Sequence, residues 1–165
     1  RLGAGLTVYK ARLWATRNAG FLNGVYRAWE TLLVAINPLM DRIGHHKLDK
    51  GFTAVEGAVK GFLFDSQSCG QCTLGYTGMA CPMNCPKSLR NGPCGGVRAD
   101  GSCEVDPNIT CVWVTAWEGS QHIRDGVQTI QIVQPPLDSR LSNTSSWLRA
   151  VRERKLATGA SSHDL

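Results

Sequence analysis

The sequence lacks several features that would assign it quickly. No apolar run approaches the roughly 20 residues that cross a bilayer. No charged start, apolar centre and small-residue cleavage site marks an export signal. The chain starts at Arg1, so a leader lost upstream stays open, but nothing present argues against the cytoplasm. A basic arm is also missing. The net charge of +5 is scattered, and aromatics do not interleave with lysine and arginine as a base-stacking surface requires. Nucleic acid is therefore not the expected partner, and mild positive charge suits an acidic protein equally well. There is no glycine-rich phosphate loop, Gly3-Ala4-Gly5 being too short. No residue set reads as an active site for carbon chemistry. Histidines number only four, and His45 and His46 read as surface residues after a helix end at Gly44 rather than as ligands.

What the chain has is cysteine and glycine in one place. All seven cysteines fall within 43 residues, spaced C-x2-C-x8-C-x3-C-x8-C-x8-C-x7-C: Cys69, Cys72, Cys81, Cys85, Cys94, Cys103 and Cys111. Many of the 18 glycines lie among them. That composition predicts irregular loops wrapped around something other than a large apolar core.

Three zones follow. Residues 1–64 read as helical. Leu22, Val25, Tyr26, Trp29, Leu32, Leu33, Ile36, Met40 and Ile43 recur at steps of three and four, with Pro38 expected to kink or split the helix near Asn37. Weaker helices are predicted over 6–18 and 52–63. Residues 65–119 form the cysteine zone, punctuated by turn-forming Asn91-Gly92-Pro93 and Asp100-Gly101, with a short strand or packed extended segment over 109–117. Residues 120–165 read as an extended tail, with a strand over 127–133, a short helix over 146–155 and ten disordered final residues. The expected fold class is thus α plus an irregular cysteine-rich metal-binding domain, its N-terminal helices packed on loops and short strands.

Three chemistries compete for the thiols. Disulfides prefer an oxidising compartment and an even count, and seven is odd. The sequons at Asn108 and Asn143 would matter only in a secreted chain. Zinc prefers four ligands from short knuckles, which Cys69, Cys72, Cys81 and Cys85 supply, leaving Cys94, Cys103 and Cys111 without a role. Iron–sulfur clusters account for more of the pattern. Each cubane takes four thiolates, and Cys81-Pro82 and Cys85-Pro86 are similar to the Cys-Pro step of ferredoxin motifs. Nearby glycines let backbone N–H groups approach sulfur. Seven thiols are one short of two cubanes. Ser66 stands three residues before Cys69, where a cysteine would complete a C-x2-C-x2-C run, so either Ser66 or Asp65 supplies an oxygen ligand, or a partner supplies the ligand, or only one cubane forms.

The blocks Cys69-Gly70-Gln71-Cys72, Thr77-Gly78-Met79-Ala80-Cys81-Pro82-Met83-Asn84-Cys85-Pro86-Lys87 and Leu89-Arg90-Asn91-Gly92-Pro93-Cys94-Gly95-Gly96-Val97-Arg98 carry a family resemblance. So do Gly101-Ser102-Cys103-Glu104-Val105 and Cys111-Val112-Trp113. Together they resemble the cysteine-rich C-terminal family of methylenetetrahydrofolate reductases, which in some organisms is a separate small subunit. The resemblance implies one or two [4Fe-4S] clusters, with zinc as the alternative, and a flavin-containing TIM-barrel reductase as partner. It implies an electron-transfer role fed by ferredoxin or another donor; the alternative is a structural zinc module bracing a one-carbon enzyme. Ser66 departs from the cysteine expected there. Lys87, Arg90 and Arg98 are candidates to offset cluster charge, and Trp113 and Trp117 to shield a cluster from water.

Overall fold

The computed structural model describes residues 6–43 and 45–160. Three long helices come first: α1 (Leu6–Arg17), α2 (Ala19–Ile43) and α3 (His45–Phe64). A loop region follows, carrying short 3-10 turns at Leu74–Tyr76 and Pro82–Asn84. Helix α4 (Val112–Gln121), the single-turn α5 (Gly126–Thr129), a 3-10 turn at Ser139–Leu141 and α6 (Ser146–Ala160) complete the order.

Helix α2 carries two apolar stripes, and only one is buried. Leu33 and Met40 are buried, and with Tyr26, Trp29 and Asn37 they make the inner face. Trp147 and Val151 of α6 pack on Leu33, with the Trp29 and Trp147 rings edge to face at 5.5 Å. Phe21, Val25, Leu32 and Ile36 stay exposed along the other side. Pro38 does not split the helix, which runs to Ile43. Pro38 and Val34 both lie on the exposed side, so the carbonyl that proline leaves without a donor can bond water.

A second core joins the helices to the cysteine region. Ala15, Ala19, Phe64, Leu74, Met79, Cys81 and Ile123 form it, so one cysteine is itself core. A third centres on Cys111, Val112, Trp113 and Ala116 at the start of α4. Gly78, at φ +57°, lies against the backbone of Ala116, Gly119 and Ser120, and a Cβ there would collide with it. This approach docks α4 beside Cys81. Gly78→Ala should cost about 1–3 kcal/mol, from left-handed strain plus overpacking, read as a lowered urea midpoint. An unchanged midpoint would show that the loop can give way.

Several expectations need correction. Among the described residues there is no strand, only an isolated antiparallel bridge between Ser102 and Thr110. The stretch 109–117 is extended only to Cys111 and then turns into α4, because Cys111 serves as its N-cap. The expected boundary at 119–120 therefore falls inside a helix. The stretch 127–133 holds α5 and a turn instead of a strand. The tail is not simply extended, since α6 reaches Ala160 and takes in part of the stretch expected to be disordered. Gly44, the side chains of His45 and His46, and residues 161–165 lie outside the described residues, so those expectations are not addressed.

Candidate metal centre

All seven cysteines are free thiols, and they line two separate clefts. The first is walled by Cys69, Cys72 and Cys81 together with Ser66. The second is walled by Cys85, Cys94, Cys103 and Cys111. The divider is the 3-10 turn Pro82–Asn84, which leaves Cys81 at one end and Cys85 at the other. Both flanking residues are extended, so the two Cys-Pro steps send neighbouring thiols to opposite clefts. The zinc grouping of Cys69, Cys72, Cys81 and Cys85 is thus not gathered in one cleft. Among the described residues no three His, Cys, Asp or Glu side chains converge as ligands of a single ion. The clefts are narrow, enclosing about 30 and 20 Å³.

The loop around the first cleft is held from several sides. Gly70, at φ +71°, lies against the Leu141 carbonyl, where a side chain would not fit. The Asn143 amide donates to the Ser68 carbonyl at 2.8 Å, and the Asp138 amide to Gln71 Oε1 at 2.7 Å. The tail thereby clasps the cysteine loop, and Thr144 and Ser146 form part of the cleft wall. Asp65, Ser68, Met79 and Ser88 all adopt positive φ, an uncommon state for residues with side chains, close to the thiols.

The electrostatics of this cleft are set by groups that sequence reading missed. Lys60 is 3% exposed and Glu56 6%. The Lys60 ammonium donates to Glu56 Oε1 and Ser146 Oγ, both at 2.8 Å, and to the Tyr26 hydroxyl at 3.4 Å. It also lies 5.0 Å from the Trp147 ring centroid, and it feels the Cys72 thiol. Burial alone would lower the Lys60 pKa, but Cys72 and Glu56 outweigh it and raise it. Burial likewise pushes Glu56 up, yet Lys60 and the hydroxyls of Ser145 and Ser146 bring it below its ordinary value. Glu56 also accepts from the Ser146 and Trp147 amides at 3.2 and 3.3 Å, capping α6 from another helix. The available signal was a Glu and a Lys four residues apart on α3, a pattern far commoner on solvated faces.

Burial pushes the Cys81 thiol up to about 12, only partly offset by the backbone N–H groups of Met83 and Gln67 aimed at its sulfur. These amides belong to Met83 and Gln67, not to the glycines expected to let N–H groups approach sulfur. Arg90 lines the same cleft. Its Nη2 donates to the Gln71 carbonyl at 2.8 Å, while Nε and Nη1 are buried without a partner.

In the second cleft Cys103 and Cys111 are buried and Cys94 is exposed. The Gly96 amide lies 3.4 Å from the Cys94 sulfur, another N–H···S contact. Lys87 pairs with Glu104, whose Oε1 lies 3.3 Å from the Cys94 sulfur. Arg98 donates to the Glu104 carbonyl at 3.4 Å. Trp113 is buried in this cleft and donates to the Leu89 carbonyl at 3.2 Å. Trp117 is exposed and instead lines an outer groove of about 410 Å³ with Tyr76 and Ile132.

A family model described as methylene-tetrahydrofolate reductase C terminal matches residues 45–140. No curated protein and no solved structure matches the chain.

Proposed function

The chain belongs to the methylene-tetrahydrofolate reductase C-terminal family, and from that premise we propose that it is an iron–sulfur electron-transfer subunit of a reductase of this type. The supporting observation is the division of the thiols. Seven cysteines scattered for packing alone would have no reason to part into a set of four and a set of three with Ser66. A cubane binds each thiolate at a different iron, so its ligands sit around a body rather than at one point.

The residues fit such a group in charge as well as in type. Arg90, which lines the first cleft, carries two buried donors without a partner, an arrangement that is costly unless an acceptor arrives. Amides of Gln67, Met83 and Gly96 face cysteine sulfurs, where they favour the more negative state of a bound cluster. Cys85, Cys94, Cys103 and Cys111 would hold one cluster, and Cys69, Cys72 and Cys81 the other. When bound, the clusters supply one-electron chemistry. The chain's own residues ligate, exclude water and set potential: Trp113 covers the second cleft, and Lys60 and Arg90 hold positive charge beside the first. To serve as a ligand, Cys81 would have to give up the proton that burial makes it hold tightly. A flavin on a TIM-barrel partner is the proposed acceptor, with ferredoxin or a similar carrier as donor.

Among the described residues no helix is long and apolar enough to cross a membrane. The test is metal and sulfide analysis of anaerobically purified full chain. Iron with equivalent acid-labile sulfide, and a broad visible absorption bleached by dithionite, is expected. Stoichiometric zinc with neither iron nor sulfide would replace this reading with a structural zinc module.

A further inference from the structure

We propose that the exposed seam of α2 pairs two copies of this chain, helix against helix and antiparallel. Phe21, Val25, Ala28, Leu32 and Ala35 follow one another at steps of four, three, four and three. That spacing keeps them on one line along a helix, the line on which a second helix packs. All five are exposed, Phe21 at 70%.

The charge pattern fits an identical chain. The positions beside the seam are Leu22, Trp29 and Ile36 on one flank and Gly24, Thr31 and Pro38 on the other. None is charged, so two copies meet there without like-charge repulsion despite a net charge of +5. Charges on those flanks are what select a different helix as partner. Glu30 lies off the seam and accepts from Arg154 of α6 at 2.7 Å.

The side-chain sizes fit a two-fold axis. An axis beside Glu30 lies close to the middle of α2 (Ala19–Ile43), so the two helices overlap along most of their length. It sets Val25 of one copy against Ala35 of the other, and Ala28 against Leu32. Symmetry repeats each pair, so large side chains meet small ones in every such layer. Parallel pairing would instead stack Ala28 on Ala28 and Ala35 on Ala35, leaving gaps, and would align the two helix dipoles. The seam also faces away from the thiols. Tyr26, on the inner face of α2, packs on the core that holds Leu74 and Cys81, and its hydroxyl accepts from Lys60 of the first cleft. On the electron-transfer reading the acceptor approaches the clefts, which leaves the outer face of α2 to the second copy.

The test is sedimentation equilibrium of the reduced full chain over about a hundredfold range of concentration, where a monomer–dimer equilibrium is expected. Leu32→Glu and, separately, Val25→Glu should each weaken the dimer at least about tenfold by burying a charge in the seam. Both positions are exposed, so the circular dichroism of the helices should not change. Ala28→Leu should weaken the dimer by crowding Leu32 of the other copy. The double variant Ala28→Leu, Leu32→Ala exchanges the large and small positions and should recover most of the affinity. A wild-type chain that stays monomeric throughout would overturn the proposal and leave this face to a different protein. A trimer or larger assembly, or a dimer indifferent to both glutamates, would overturn it too. A double variant no better than Ala28→Leu would overturn the antiparallel register. None of these readouts depends on bound metal, so failure here leaves the proposed function standing.

Discussion

Serine in place of both Cys103 and Cys111 should strip about half of the bound iron and leave the remainder in place, because only two thiols then line the second cleft. Cys72→Ser should do the same to the other half. The expectation follows from the two clefts, which share no cysteine and are kept apart by the turn at Pro82–Asn84. Cys111 suits the test because it caps α4, and serine is a preferred cap, so the backbone change is mild. Iron and sulfide per chain, with the EPR spectrum of the reduced protein, check it. Two cubanes give distinct residual spectra in the two variants. Identical residual spectra, or complete loss of iron from both, would sink the division of ligands.

Lys60→Met should destabilise the fold by about 3–5 kcal/mol, because it leaves the Glu56 carboxylate buried and unpaired. The double variant Lys60→Met, Glu56→Gln should recover much of that loss, since a neutral amide has no charge to strand and can still accept from the α6 amides. Urea unfolding of the three proteins checks it, and a loss below about 1 kcal/mol would mean water reaches the pair. The pH dependence has a definite sign. Glu56 titrates below its ordinary value in the fold, so its contribution is complete above the unfolded-state pKa and is lost as pH falls through the depressed one. Lys60, raised in the fold, contributes fully below its unfolded-state pKa and loses that contribution as pH rises through the raised one. Glu56→Gln should therefore be less stable near neutrality but lose less of its stability on acidification.

The helical front was legible because its burial follows a three-to-four spacing: α1 and α2 lie close to where apolar recurrence placed them, whereas α3 begins seven residues before its expected start and α6, expected over 146–155, runs on to Ala160. The spacing did not say which stripe of α2 faces inward; that depends on where Trp147 and Val151 arrive from the far end of the chain. The strands misread over 109–117 and 127–133 are short apolar runs, for which period two and period 3.6 are poorly separated. At 112–121 the helix won because Cys111 and the Gly78–Gly119 approach give it a start and a bed. The gathering of the cysteines was legible, since every one of them lines one of two clefts. Their partition was not, since spacing puts Cys81 and Cys85 together while the backbone between them turns their sulfurs apart. Lys60 and Glu56 were missed because burial of a charged pair depends on Ser145 and Ser146, some ninety positions away.

The clasp formed by residues beyond 140 makes the first cleft depend on a segment outside the stretch that the family model matches. Thr144 and Ser146 close one side of the three-thiol cleft, and the Glu56 carboxylate anchors the helix that begins there. A fragment trimmed to 45–140 would keep every cysteine yet lose that side. On the iron–sulfur proposal, cutting the carboxyl end would therefore act first by opening the three-thiol cleft to oxygen and water, before any ligand was lost.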